Sequence, residues 1–154
     1  MIMSKTSNEQ CLANYAKMCE LFRNVIPNGK RFAVVYGCGV DVGMMNFVVV
    51  RKTTYTYSSY AIGYDENEIV ILPIDVGLQQ YGTPYYLKKS EVTKAKRSWL
   101  NKEITIQHHA LPKGYIQFSV PEFINDDPDN VCVCVKQNEQ AQEFVKFFKE
   151  KYAK

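Results

Sequence analysis

Asn138-Glu139-Gln140-Ala141-Gln142-Glu143-Phe144-Val145-Lys146-Phe147-Phe148-Lys149-Glu150-Lys151-Tyr152 decides the fold class, because nearly everything between residue 31 and this stretch reads as strand. Ala141, Phe144, Val145, Phe148 and Tyr152 recur at three- and four-residue intervals, which a helix turns into one apolar stripe. Asn138 can cap this helix, and Glu139 falls in its first turn. Lys149, Lys151 and Lys154 sit at its end, where cations complement the helix dipole. Strands first and one closing helix argue for an α+β domain, a small barrel or sandwich plugged by that helix. They argue against alternating strand–helix units.

Immediately upstream, Val131-Cys132-Val133-Cys134-Val135 is apolar on both faces of the expected strand. A barrel wall should show one wet face, so something covers the outside, the N-terminal helix in preference to a partner subunit. That helix is expected over residues 7–26. Ser7 and Gln10 form a capping box, Cys11, Tyr15, Met18, Cys19, Phe22 and Val25 or Ile26 share a face, and Pro27-Asn28-Gly29 ends it. Strands are expected at Arg31–Tyr36, Phe47–Val50, Thr53–Tyr64, Glu68–Ile74, Tyr85–Leu87, Val92–Trp99, Glu103–His109, Tyr115–Val120 and Val131–Val135. Asp65-Glu66-Asn67 makes the clearest hairpin turn, and Glu122–Asn130 reads as an acidic loop. The whole chain, 1–154, reads as one domain: helix 7–26, strands within 31–136, helix 138–152.

At 154 residues, 46% hydrophobic and 23% charged with a net charge of +3, the chain has enough apolar material for one core and no strong charge bias. Five scattered cysteines, an odd number in mostly apolar surroundings, predict free thiols in a reducing compartment. The first ten residues lack an apolar core, and the longest apolar runs fall far below the roughly 20 residues of a membrane span. A cytoplasmic protein is expected.

Ser59 to Pro73, a hairpin running into a long apolar strand, resembles the bacterial pleckstrin-homology-like family, as does the basic turn Tyr86-Leu87-Lys88-Lys89-Ser90-Glu91-Val92. Ile104-Thr105-Ile106 and the closing helix occupy the places of that family's later strands and capping helix. The resemblance covers the last two-thirds of the chain. It implies a strongly bent antiparallel barrel of about seven strands, plugged by the C-terminal helix, with the N-terminal helix as an addition. It also implies a binding or scaffolding role. Lipid-binding members carry basic residues in the loop after the first strand. Here that loop has Asp41 and none, so inositol-phosphate recognition is not implied.

No stretch carries a catalytic signature. Gly37, Gly39 and Gly43 follow a strand but precede no helix that could hold a pyrophosphate. His108 and His109, adjacent on a strand, should point to opposite faces, and Cys132 and Cys134 lack a second cysteine pair, so neither metal nor cofactor is expected. The strongest functional feature is the basic segment Lys88–Lys102, in which Lys94 and Lys96 share one face of a strand and Ala95 and Arg97 the other. Lys94, Lys96 and Arg97 are the candidate binding residues. The expected function is a non-catalytic intracellular binding or scaffolding module that contacts a protein or a second copy of itself. The alternative is contact with an anionic membrane surface or phosphate ligand through that segment. The tyrosines are spread over several elements without a nucleic-acid signature, which disfavours that partner.

Overall fold

The computed structural model describes residues 2–40, 50–52, 55–124 and 132–153. Helix α1 (Ile2–Val25) is followed by β1 (Ala33–Val40), β2 (Val50–Lys52), β3 (Tyr55–Tyr64), β4 (Glu68–Ile74) and β5 (Tyr85–Lys88). Then come β6 (Lys94–Arg97), β7 (Ile104–Gln107), β8 (Tyr115–Phe118), β9 (Phe123–Ile124), β10 (Val135–Lys136) and α2 (Asn138–Lys151). The expected strand 47–50 and the acidic loop fall largely outside the described residues, as do Asp41 and Gly43.

The closed seven-stranded barrel does not form. The strands make three open antiparallel sheets: β1-β3-β4-β5 with β2 on the far end of β3, then β6-β7-β8, then β9-β10. The pleckstrin-homology-like architecture is therefore corrected. The expected function, a binding or scaffolding module of that architecture with membrane or phosphate contact through the basic segment Lys88–Lys102 as its alternative, is corrected with it.

Two local features keep the large sheets apart. A 3-10 turn, Lys89–Glu91, separates β5 from β6, and β5 pairs with β4 alone. On the other side, β1 and β8 meet at one bridge, where Cys38 and Ser119 exchange N–H···O bonds of 3.0 and 2.8 Å. The next antiparallel partner of Tyr36 would be Pro121, which has no N–H to give. The Gln137 carboxamide fills that gap. Its Oε1 accepts the Tyr36 N–H at 2.8 Å, and its Nε2 donates to the carbonyls of Tyr36 at 3.0 Å and Pro121 at 2.7 Å. The ladder stops where a side chain replaces backbone. Gln137 thereby becomes the N-cap of α2 without capping it through its side chain, whereas Asn138 had been expected to do so.

The large sheet is a middle layer with a core on each face. Toward α1 lie Val34, Tyr36, Ala61, Val70, Leu72 and Ile74, against Met18, Cys19, Phe22 and Ile26. Toward α2 and the three-stranded sheet lie Val35, Tyr60, Ile62, Ile69, Ile71, Ile104, Ile106, Ile116 and Phe118, against Phe144, Phe148 and Tyr152. Alternation in β1, β3 and β4 feeds both cores. Phe22 reaches the sheet because residue 63 is glycine: a Cβ there would stand 2.2 Å from the ring carbon Cζ of Phe22.

Of the segment expected as a strand from Val131 to Val135, Val131 lies outside the described residues, and among the rest strand pairing begins at Val135, with Ile124. Its outer side is covered by α1, and the cover is covalent. Cys11 and Cys134 form a disulfide, which corrects the expectation of five free thiols. Asn14 also donates to the Cys134 carbonyl at 2.9 Å.

Candidate functional site

Side-chain alternation in β6 buries Ala95 and leaves Lys94 and Lys96 exposed on the outer face. Arg97, on the inner face, is half-buried at the open end of the three-stranded sheet. Of the three candidate binding residues, Arg97 therefore separates from the two lysines. Arg97 lines a cleft of about 360 Å³ between this sheet and α2. Val120, Ala141 and Val145 are the apolar residues of the cleft, and Gln142, Lys146 and Lys149 supply its polar side. Positions 141, 145 and 149, with 142 and 146 beside them, form adjacent rows on one helix face, so α2 delivers apolar and cationic groups together.

One atom sets this cleft apart. Arg97 Nε is buried and, among the described residues, has no hydrogen-bond partner. A buried donor left unmade costs about 1–3 kcal/mol, more when it belongs to a charged group. Glu122, the acid lining the cleft, is held within it: its Oε1 accepts from Asn138 Nδ2 and from Gln142 Nε2, both at 3.2 Å. The cleft thus brings an arginine, two lysines and an amide together with one carboxylate, Glu122, around an apolar floor.

A larger cleft, about 690 Å³, lies where the β5 end and the 3-10 turn meet the end of α2, with Arg31, Lys88, Lys89 and Lys151 around it. Its arginine is already satisfied, since Arg31 pairs with both Asp65 and Glu68. Lys89 Nζ lies 5.7 Å from the Tyr152 ring centroid. This cleft presents charge but no orphaned donor.

The histidines depart from expectation. The strand β7 ends at Gln107, so His108 and His109 lie beyond the pleat and their rings stack, 4.6 Å between centroids. Both turn Nε2 toward Glu91 Oε1, at 3.4 Å from His108 and 3.1 Å from His109. The three ligand atoms lie within 4.8 Å of one another, a spacing a metal ion can bridge. The tautomer opposes it: His108 Nδ1 accepts the Ala110 N–H at 2.9 Å, which places the neutral ring's proton on Nε2. A metal at Nε2 would need that lone pair. The cluster reads better as one carboxylate facing two imidazoles. Burial, and then the neighbouring His109, push the His108 pKa down, while Glu91 opposes them.

Lys146, Lys149, Gln142 and Val120 escaped the sequence reading as site residues. The only signal of the three α2 residues was the helical spacing of polar groups beside the apolar stripe, and that spacing does not say which strand they face. Comparison with protein-family models, curated proteins and solved structures finds no match. Among the described residues no helix is long and apolar enough to cross a membrane.

Proposed function

We propose that this chain is a non-catalytic binding domain that takes a carboxylate bearing a short apolar group into the Arg97 cleft. The orphaned Arg97 Nε carries the reading: a ligand oxygen there would remove the cost of a buried, unmade charged donor. Lys146 and Lys149 add positive charge, and Val120, Ala141 and Val145 suit an aliphatic side chain beside the acid. A peptide C-terminus and a short-chain carboxylic acid share this chemistry. The Cys11–Cys134 bond also removes the ground for a reducing, cytoplasmic setting, since disulfides persist where thiols are not kept reduced.

Isothermal titration of the full chain distinguishes the sources. The ligands are an N-acetylated tetrapeptide ending in leucine, its C-terminal amide, and hexanoate. The free-acid peptide should bind at least about tenfold more tightly than the amide, since a charge-assisted bond is lost, and Arg97→Gln should abolish the difference. Equal binding of hexanoate and the peptide acid would assign the site to a small acid. Failure of both acids to bind would overturn the reading.

A further inference from the structure

Cys19, Cys38 and Cys132 remain thiols beside the Cys11–Cys134 bond. Cys19, on α1, is buried against the large sheet. Cys38 and Cys132 are half-buried and stand 3.5 Å apart, Sγ to Sγ, in a thiol–thiol hydrogen bond between residues 94 positions apart in sequence. Because a disulfide is about 2.0 Å long, closure asks for a short approach of two sulfurs already facing each other.

We propose that Cys38 and Cys132 form a second, reversible disulfide when the chain meets a low-molecular-weight disulfide such as oxidised glutathione. The described backbone at Cys38 and just after Cys132 is strapped in place. Cys38 is held by its two-bond bridge to Ser119. After Cys132, Val133 N–H donates to the Tyr36 hydroxyl at 3.0 Å, and that hydroxyl shares a 2.7 Å hydrogen bond with Ser59. Cys134 is fixed to Cys11 and its carbonyl to Asn14. The approach therefore starts from two segments already held beside each other, with their sulfurs 3.5 Å apart.

The chemistry balances. One protein thiolate attacks the small disulfide, making a mixed disulfide and releasing one small thiolate. The second protein thiolate attacks the protein sulfur of that adduct and expels the other small thiolate, which takes up a proton. The two protein sulfurs are oxidised by two electrons in total, and one small disulfide is reduced to two thiols. The bond to Cys132, and then burial, push the Cys38 thiol well above its ordinary range. The reaction should accelerate as pH rises, because thiolate is the attacking form.

The test uses the full chain with Cys11–Cys134 intact. It is incubated with oxidised glutathione, quenched with an alkylating agent, digested without reduction and mapped by mass spectrometry. The expected product is a peptide joining Cys38 to Cys132, with both residues protected from alkylation and the protein lighter by two hydrogens. Cys38→Ser should instead leave glutathione on Cys132, with the Cys11–Cys134 peptide unchanged as a check on folding. Glutathione carried separately by both thiols, both remaining alkylatable, or Cys132 joined to Cys11 would each overturn the proposal.

Discussion

The two faces of the large sheet are held by different physics. On the α1 face the polar groups are matched: Tyr15 hydroxyl donates to the Val34 carbonyl at 2.7 Å, Asn14 to the Cys134 carbonyl, and the Cys11–Cys134 bond closes the layer. On the α2 face aromatic packing does the holding. Tyr64 and Phe144 meet edge-on with centroids 5.0 Å apart, Phe148 stacks on Tyr152 at 6.3 Å, and the neighbouring cleft leaves the Arg97 donor unmade. The α1 face is the more completely satisfied, and the α2 face carries both the larger aromatic content and the unfilled polar site. An unmade donor is tolerable only where surrounding burial outweighs it, and the candidate site adjoins the core formed by Phe144, Phe148 and Tyr152.

The largest expected effect breaks the α2 side. Phe148 is fully buried among Phe144, Tyr152 and the inner sheet face. Phe148→Ala should cost about 3–5 kcal/mol, transfer loss plus residual cavity. Urea denaturation followed by circular dichroism measures it. A loss below about 1 kcal/mol would mean that α2 does not pack as described.

On the α1 side the corresponding break is covalent. Cys134→Ser should cost about 2–4 kcal/mol, because the bond links residues separated by 123 positions and constrains the unfolded chain. The inner aromatic cluster should survive, with near-ultraviolet circular dichroism retained while α1 amides lose hydrogen-exchange protection. Simultaneous loss of protection in α1 and α2 would show that the two faces unfold as one unit.

A smaller effect comes from His108, which is 2% exposed. Its pKa is lowered in the folded chain, mainly by burial. As pH falls below about 6.5, the unfolded chain binds a proton that the folded chain resists, so stability is lost on acidification and is level above that range. The denaturation midpoint should drop between about pH 7.5 and about pH 5.5 in the wild type and drop less in His108→Gln. An identical slope in both would remove His108 as the source.

Much of this arrangement was legible in sequence. The α2 stripe, the Tyr64–Glu68 hairpin and the covering of the last strand by the N-terminal helix follow from periodicity and from doubled apolar faces. The failure of the sheets to close was not legible. It turned on Pro121 facing Tyr36 across the sheet and on Gln137 taking the vacant hydrogen bonds, which are long-range pairings with no periodic trace. The Cys11–Cys134 bond was hidden for the same reason. The site was half visible: alternation already separated Arg97 from Lys94 and Lys96, but its union with Lys146 and Lys149 depends on how α2 lies across the open end of the three-stranded sheet.

The smallest effect on stability gives the sharpest comparison between the faces. Arg97→Met keeps an unbranched apolar stem against Val120 and Val145 and removes both the charge and the orphaned donor. Replacing an unsatisfied buried polar group by an apolar one of similar shape is neutral or stabilising. Asn14→Ala on the opposite face has the opposite logic, because it strips a made hydrogen bond from the Cys134 carbonyl and should cost about 0.5–1.5 kcal/mol. Thermal denaturation of both variants compares them directly. If Arg97→Met destabilises as much as Asn14→Ala, the guanidinium is contributing to the fold, and the cleft has no unmet demand for a ligand. If it leaves the melting temperature level or higher while carboxylate binding disappears, the arginine is kept at the fold's expense for the ligand.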